Sequence, residues 1–183
     1  MKVAKPSFHF LQPSTRRKLT AVSIIAALLI TVIFQFSGRP LSTSAAPAGI
    51  VSLEFARTPE TAQAILDSWD AQAKMTAAFG LGLDFLYPLV YATAISLACV
   101  SIADKIRLSS PPVATVGIWL AWSVWLAAVL DYVENFALFQ MMFGATNSFW
   151  PLLAFVCATI KFIFIILALL YALVGWLVLK VNN

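Results

Sequence analysis

The sequence predicts an all-α integral membrane protein, a polytopic four-helix bundle with an extracytoplasmic amphipathic helix between the first two spans. Composition is the first reason: of 183 residues, 61% are hydrophobic and only 11% are charged, whereas soluble domains carry about 25% charged residues. Lipid must therefore replace water over part of the surface. The second reason is that four apolar stretches approach or exceed the roughly 20 helical residues that cross a bilayer core.

Turn-forming residues separate the predicted spans. Pro111-Pro112 divides the second span from the third, and the glycine and proline of residues 144–151 divide the third from the fourth. We expect residues 1–18 to form a basic cytoplasmic tail and residues 19–183 to form a single membrane domain. The predicted spans are residues 19–36, 77–103, 113–139 and 152–179.

The first span has an alternative interpretation as a cleaved signal peptide. A basic region precedes it, and Ala46-Pro47-Ala48 resembles a cleavage site. Its apolar run, however, exceeds the roughly 7–15 residues typical of a signal peptide, and the candidate cleavage site lies well beyond its end. We therefore expect the first span to be retained as a helix.

The distribution of Lys and Arg predicts a multi-pass protein of the cytoplasmic (inner) membrane with both termini in the cytoplasm. Eight of these basic residues flank the spans on the side of the termini and three lie on the other side, so the segment 38–76 is expected outside. The net charge of +4 does not indicate nucleic acid, because the basic residues are not interleaved with aromatic ones. The eight are Lys2, Lys5, Arg16, Arg17, Lys18, Lys105, Arg107 and Lys180, and the three are Arg39, Arg57 and Lys74.

The outer segment is predicted to contain a linker, a short strand and a helix. Residues 41–49 are rich in Ser, Thr, Ala and Pro, and alternating apolar and polar residues over 51–55 predict the strand. The helix over 59–74 begins after Thr58 as N-cap, with Pro59 at its first position. Its apolar face predicts an amphipathic helix at the lipid interface or across the mouth of the bundle, with Trp69 as a candidate cover. That face consists of Ala62, Ile65, Leu66, Trp69 and Ala73.

Ionisable residues inside the spans are the main functional signal. Three acids and one lysine lie there, and each would cost about 2.5–3.5 kcal/mol if exposed to lipid at mid-depth. They are therefore expected to face the bundle interior or a wet cavity. The topology places them in the outer half of the membrane, and helical spacing adds nearby tyrosines and an asparagine. The predicted cluster is Asp84, Tyr87, Tyr91, Asp131, Tyr132, Glu134, Asn135 and Lys161.

The balance of charge in this cluster points to a ligand. One lysine cannot neutralise three carboxylates, so at least one acid is expected to be protonated, solvated, held by strong donors or paired with a ligand cation. The alternative is structural: Lys161 pairs with Asp131 or Glu134, and the group fixes helix register. Pro88 is expected to kink the second span beside the cluster, because it lacks an amide donor.

No metal, cofactor or redox site is predicted. Cys99 and Cys157 lie far apart in apolar stretches, and His9 lies in the polar tail. Three carboxylates would suit a hard cation, but the spacing fixes no geometry for one. Gly80 and Gly82 lack the strand and phosphate-loop context of a nucleotide motif and predict close helix packing instead.

Short sequence elements surround the charged positions. They are Leu53-Glu54-Phe55, Thr58-Pro59-Glu60 with Trp69, Asp84-Phe85-Leu86-Tyr87 with Tyr91, Asp131-Tyr132-Val133-Glu134-Asn135, Trp150-Pro151 and Lys161-Phe162. Through them the chain resembles an uncharacterised family of small bacterial four-helix integral membrane proteins, over roughly residues 50–175. The resemblance implies a membrane protein of bacterial type and supplies no substrate. The basic tail lies outside it.

Three functions remain open at this point. The first is a binding or transport-like module for a small cationic or lipophilic ligand, with Asp84 or Glu134 as counter-charge. The second is an accessory or assembly subunit of a larger membrane complex, without a site of its own. The third, and least favoured, is an enzyme acting on a lipid-like substrate, with Asp131 and Glu134 as base and acid. Expected partners are the bilayer, such a ligand, and a second copy of the chain or a membrane complex.

Overall fold

The computed structural model describes residues 6–181, and within that range it contains helices and turns but no strand. The predicted class, an all-α polytopic membrane bundle, is confirmed. Four helices, namely α1, α5, α6 and α7 as defined next, are long and apolar enough to cross a membrane. The helices are α1 (Pro13–Ser37), α2 (Ile50–Glu54), α3 (Pro59–Asp67), α4 (Ala71–Asp84), α5 (Tyr87–Ile106), α6 (Pro111–Met142) and α7 (Phe149–Val181), with a short 3-10 turn at Arg39–Leu41.

Exposed apolar side chains on the long helices account for the membrane assignment. Very little of the most apolar stretch of α7 is buried inside the protein. Leu167, Leu170 and Val174 are among the large apolar side chains that α7 leaves exposed. A continuous apolar surface of this kind is solvated by hydrocarbon rather than by water. The protein is therefore a multi-pass membrane protein.

The chain divides into two compact units, and both draw residues from all four long helices. The first unit consists of Met1–Ala27, Leu89–Ala128 and Lys161–Asn183, and the second unit consists of Leu28–Pro88 and Val129–Ile160.

The second unit has a core to which the outer segment contributes a continuous apolar face. The five residues predicted for that face are all buried there, while Gln63 and Asp67 are exposed, so the predicted amphipathic pattern is confirmed. Thr58 caps α3 as predicted, since its Oγ1 accepts from the Thr61 amide at 3.3 Å. Trp69 also lies in this core, and its indole N–H donates to the Leu41 carbonyl at 2.9 Å.

Two predictions for the outer segment were wrong. Residues 51–55 are not a strand, because Ile50–Glu54 form the helix α2, in which Leu53 and Glu54 are buried together. The alternating pattern over five residues was too short to distinguish the two periods. The helix predicted over 59–74 is two helices. Asp70 begins the second of them by accepting from the Ala73 amide at 2.8 Å.

The second predicted span is also interrupted. We predicted one helix over 77–103 with a kink at Pro88, but α4 ends at Asp84 and α5 begins at Tyr87. Phe85 and Leu86 form the turn between them, and their amides bond to carbonyls only three residues back. The lack of an amide hydrogen at Pro88 explains why the helix does not run through.

The first unit is held by close helix approaches at two glycines. A Cβ at Gly117 of α6 would overlap the Tyr171 hydroxyl of α7, and a Cβ at Gly175 of α7 would overlap the Ile102 side chain of α5. Small residues permit this closeness between membrane helices. Gly80 and Gly82 were predicted to have this role and do not, because no atom of another helix within residues 6–181 lies within 4 Å of a Cβ placed at either one.

The polar segment before the first span also folds into the first unit. Ser7 is buried, and its hydroxyl lies 2.6 Å from that of Ser96 in α5. Phe8 packs on the ring of Trp125 at 5.9 Å between centroids. Arg16 donates to the Phe8 carbonyl at 3.0 Å and forms an ion pair with Asp104, also at 3.0 Å.

These contacts show that part of the basic tail predicted over residues 1–18 is folded. The helix α1 begins at Pro13, so the end of that range is helical, and the segment before α1 is packed at Ser7. Lys2 and Lys5, which we assigned to the tail, lie outside the described residues.

Candidate functional site

The second unit buries four polar side chains that can carry a negative charge or accept a hydrogen bond. Three lie on α6, where Asp131, Glu134 and Asn135 are 3%, 0% and 1% exposed. Their spacing of i, i+3 and i+4 places them on one face of the helix, as predicted. The fourth is Glu54 at the end of α2, which is 7% exposed.

Asn135 is fixed by the interruption between α4 and α5. Its Nδ2 donates to the backbone carbonyl of Asp84 at 3.4 Å. In an uninterrupted helix that carbonyl would accept from the amide of residue 88, which is a proline. The Asn135 amide therefore takes the place of the missing backbone donor. This bond connects two of the residues that the sequence placed in one cluster.

The orientation of the Asn135 amide follows from the same bond. A carbonyl oxygen can only accept, so the nitrogen of the amide faces Asp84 and the oxygen points away from it. Within residues 6–181 the Asn135 Oδ1 is buried and has no hydrogen-bond donor. Such an acceptor costs about 1–3 kcal/mol when it is left unsatisfied. The Oδ1 of Asn135 is therefore a buried acceptor that no donor of the described residues satisfies.

Aromatic side chains surround the interruption. The ring of Tyr132 stacks on Phe85 at 5.9 Å, and Phe85 stacks on Phe139 at the same distance. Tyr87 shares a hydrogen bond of 2.8 Å with Thr31 of α1 and lies edge-on to Phe34 at 5.4 Å. Asp84, Tyr87 and Tyr132 are half-buried. Asp84, Tyr87, Tyr132 and Asn135 thus lie at or beside the break between α4 and α5, among aromatic rings.

The two units differ strongly in charge. The second unit carries seven of the eight acidic residues and only three of the twelve basic ones. Those three, Arg39, Arg57 and Lys74, are all exposed. The buried ionisable side chains of the second unit are therefore all carboxyl groups.

Two of the predicted site residues belong to the first unit. Lys161 on α7 is 5% exposed, and its Nζ lies 5.0 Å from the centre of the Phe162 ring. Tyr91 on α5 is 6% exposed. Both are buried, as the argument from the cost of polar groups in lipid requires.

Trp69, the candidate cover, is buried in the core of the second unit at 2% exposure. Its bond to Leu41 attaches the linker to that core. A surface cavity of about 250 Å³ does open beside α3, between this helix and the connection from α6 to α7. None of the predicted site residues lines it.

Glu54 is the residue that the functional argument from the sequence missed. It was assigned to a short strand and was not included in the predicted cluster. The signal that could have identified it is its isolation: it is the only charged residue from Leu41 to Ala56, and apolar residues flank it on both sides. A lone carboxyl in an apolar segment is buried or functional more often than a carboxyl in a charged run.

Comparison with known proteins does not extend the assignment. No family model, no curated protein and no solved structure matches the chain. The resemblance to small bacterial membrane proteins therefore stays a prediction. Within residues 6–181, no three His, Cys, Asp or Glu side chains are grouped so that they could hold a metal ion.

Proposed function

We propose that this multi-pass protein lies in the cytoplasmic membrane with both termini in the cytoplasm, and that its second unit binds a small organic cation with N–H donors. Asp131 and Glu134 supply the negative charge, and Asn135 supplies the acceptor. Asp84 is a further carboxyl at the edge of the same site. The rings of Phe85 and Tyr132 give the ligand an aromatic wall, which favours a cation.

The observation that carries the proposal is the buried Oδ1 of Asn135. Its amide is already oriented by the bond to Asp84, so a ligand donor meets a fixed acceptor and does not have to order it. The carboxyls of Asp131 and Glu134 follow on the same face of α6. A protonated amine combines the donor that Asn135 requires with the positive charge that the acids favour.

The test is thermal unfolding of the purified full-length protein in detergent with a series of alkylammonium ions. Each ion is paired with its neutral alcohol of the same shape. The expected result is an unfolding temperature that rises with the concentration of at least one amine, as binding to the folded state requires, and not with the alcohol. Asn135→Leu and Asp131→Asn are expected to abolish the rise.

Gln140→Leu is the matched control, because it removes an amide from the same helix at a half-buried position outside the site. It should keep the full response. If no amine raises the unfolding temperature, or if Asn135→Leu responds like the wild type, the polar group is structural and the chain is better described as an accessory subunit.

The orientation has its own test. Single cysteines at Gln72 and Leu108, both exposed, are introduced after Cys99 and Cys157 are replaced by alanine. A maleimide that cannot cross membranes should label Gln72→Cys on intact cells and should label Leu108→Cys only after lysis. The reverse pattern would place the termini outside.

A further inference from the structure

Arg57 has a backbone conformation that needs an explanation. Its φ is 62°, in the left-handed region that residues with a side chain rarely adopt. The Thr58 amide bonds to the Ala56 carbonyl at 2.7 Å across it, which makes the turn from α2 to α3 very tight. Glycine would adopt this turn with less strain. The side chain of Arg57 must therefore contribute something that glycine cannot.

The side chain is held on an aromatic platform. The guanidinium carbon of Arg57 lies 4.0 Å from the centre of the Phe155 ring. Phe55, two residues before Arg57, contacts the same ring edge-on at 5.8 Å. A cation–π contact at this distance holds the guanidinium against the ring. The N–H donors of a guanidinium lie in its own plane, so a ring contact leaves them available for other partners.

Nothing within residues 6–181 uses those donors. The Arg57 side chain is exposed and makes no hydrogen bond or ion pair in the described part of the chain. Arg16, in the first unit, shows the contrast, because its guanidinium is engaged by both a carbonyl and a carboxylate. Arg57 is therefore a guanidinium whose donors have no partner in the described part of the chain.

Exposed apolar side chains lie close to Arg57 and to Phe155 along the chain. Val51 and Phe55, shortly before Arg57, are each 38% exposed, and Leu152 and Val156 are exposed on α7 near Phe155 in sequence. In a multi-pass membrane protein such a surface faces hydrocarbon chains. An anion attached to hydrocarbon chains can bind the guanidinium through its charge and the apolar surface through its chains.

We propose that Arg57, held on Phe155, binds the phosphate of a phospholipid whose acyl chains lie along the exposed surface of α7. The planar guanidinium donates two parallel N–H bonds to two phosphate oxygens, a geometry that lysine cannot supply. This site is separate from the proposed cation site, because it uses an exposed base and not the buried acids.

The experiment is native mass spectrometry of the full-length protein titrated with dioleoyl phosphatidylglycerol in detergent. The wild type is expected to retain one lipid more than an Arg57→Lys variant. The affinity of the variant for that lipid should be about tenfold lower, because it loses one charge-assisted hydrogen bond. Phe155→Leu keeps the charge and removes the platform, and it should weaken binding in the same direction.

Lys74→Gln is the matched control, since Lys74 is an exposed base of the same unit for which no ring contact is found. It should bind the lipid as the wild type does. Equal binding by the wild type and Arg57→Lys would overturn the proposal, as would equal loss in Lys74→Gln, which would indicate general charge attraction.

Two further ligands distinguish the source of the phosphate. Dioleoylglycerol has the same chains without the phosphate, and it is expected not to occupy the site. Inorganic phosphate has the anion without the chains, and it is expected to compete only weakly. Binding of dioleoylglycerol that is independent of Arg57 would show an acyl-chain site alone. Tight, Arg57-dependent binding of inorganic phosphate, with no gain from the lipid, would show a free-anion site.

Discussion

The side-chain amide of Asn135 donates to the backbone carbonyl of Asp84, at the position where Pro88 deprives the helix of its own donor. A polar residue of one helix therefore completes the hydrogen bonding of another that is broken. In a membrane this compensation is needed, because lipid cannot bond to a backbone group that the break leaves open. It also explains why a side chain as polar as asparagine is kept at 1% exposure.

The hydrogen bond from Asn135 to Asp84 predicts that substitutions at Asn135 and Pro88 have coupled effects on stability. Asn135→Leu should destabilise the ligand-free protein by about 1–3 kcal/mol, because the Asp84 carbonyl loses its donor. In a Pro88→Ala background the loss should be smaller, since the substituted alanine has a backbone amide that can reach that carbonyl. Thermal unfolding of the wild type, the two single variants and the double variant measures the coupling. Equal losses in both backgrounds would contradict it.

Substitution by alanine is expected to have opposite effects at Gly117 of α6 and Gly82 of α4. Gly117→Ala should destabilise the protein by about 1–3 kcal/mol, because its methyl group has no room beside Tyr171. Gly82→Ala has open space, and it should raise stability by about 0.5–1 kcal/mol through the lower entropy of the unfolded chain. Unfolding temperatures in one detergent compare the two. A Gly117→Ala variant as stable as the wild type would show that the helices are not in close contact there.

The indole N–H of Trp69 is expected to stabilise the protein through its bond to Leu41. Trp69→Phe keeps an aromatic ring in the core but removes the donor to Leu41, so it should cost about 1–3 kcal/mol and loosen the linker after α1. Trp176→Phe is the comparison, because Trp176 is 53% exposed. Limited proteolysis of the linker over 42–49 should accelerate only in the first variant. Similar cleavage in both would mean that the linker is held by other contacts.

The carboxyl group of Glu60 is expected to stabilise the folded protein to an extent that depends on pH. The hydrogen bond from its own backbone amide, and then the one from the Thr58 hydroxyl, lower the pKa of its carboxyl below the ordinary value of 4.5. A lowered pKa in the folded state means that the contribution is present above pH 4.5 and is lost as the pH falls through the folded pKa. The wild type should therefore exceed Glu60→Gln in unfolding temperature near neutral pH, and the difference should disappear on acidification. A difference that grows in acid would contradict this assignment.

Much of the fold could be predicted because lipid exposure leaves a strong signal in the sequence. Long apolar runs located the four spanning helices, and the period of Ala62, Ile65, Leu66, Trp69 and Ala73 located the apolar face of the outer segment. The capping of α3 by Thr58 was also predictable, because an N-cap depends only on contacts within one helical turn.

The interruptions were not predictable from the same signals. The hydropathy of the sequence does not reveal a break between Asp84 and Tyr87, because Phe85 and Leu86 are as apolar as the helices on either side. Pro88 predicted a kink, but the donor from Asn135 of α6 that satisfies the Asp84 carbonyl at the break is a long-range contact. For the candidate site, the burial of Asp131, Glu134 and Asn135 followed from the cost of charge in lipid. Glu54 was missed because its burial depends on how α2 packs, which five residues of sequence do not determine.

The buried hydroxyl of Ser7 has a practical consequence for work with this protein. Because Ser7 meets Ser96 inside the first unit and Phe8 packs on Trp125, replacing residues 6–12 with a purification handle or a fluorescent reporter would empty a packed position. Such fusions should instead retain that segment with a flexible spacer ahead of it, or should be joined after Val181. Variants that are compared for ligand or lipid binding should all carry the same design.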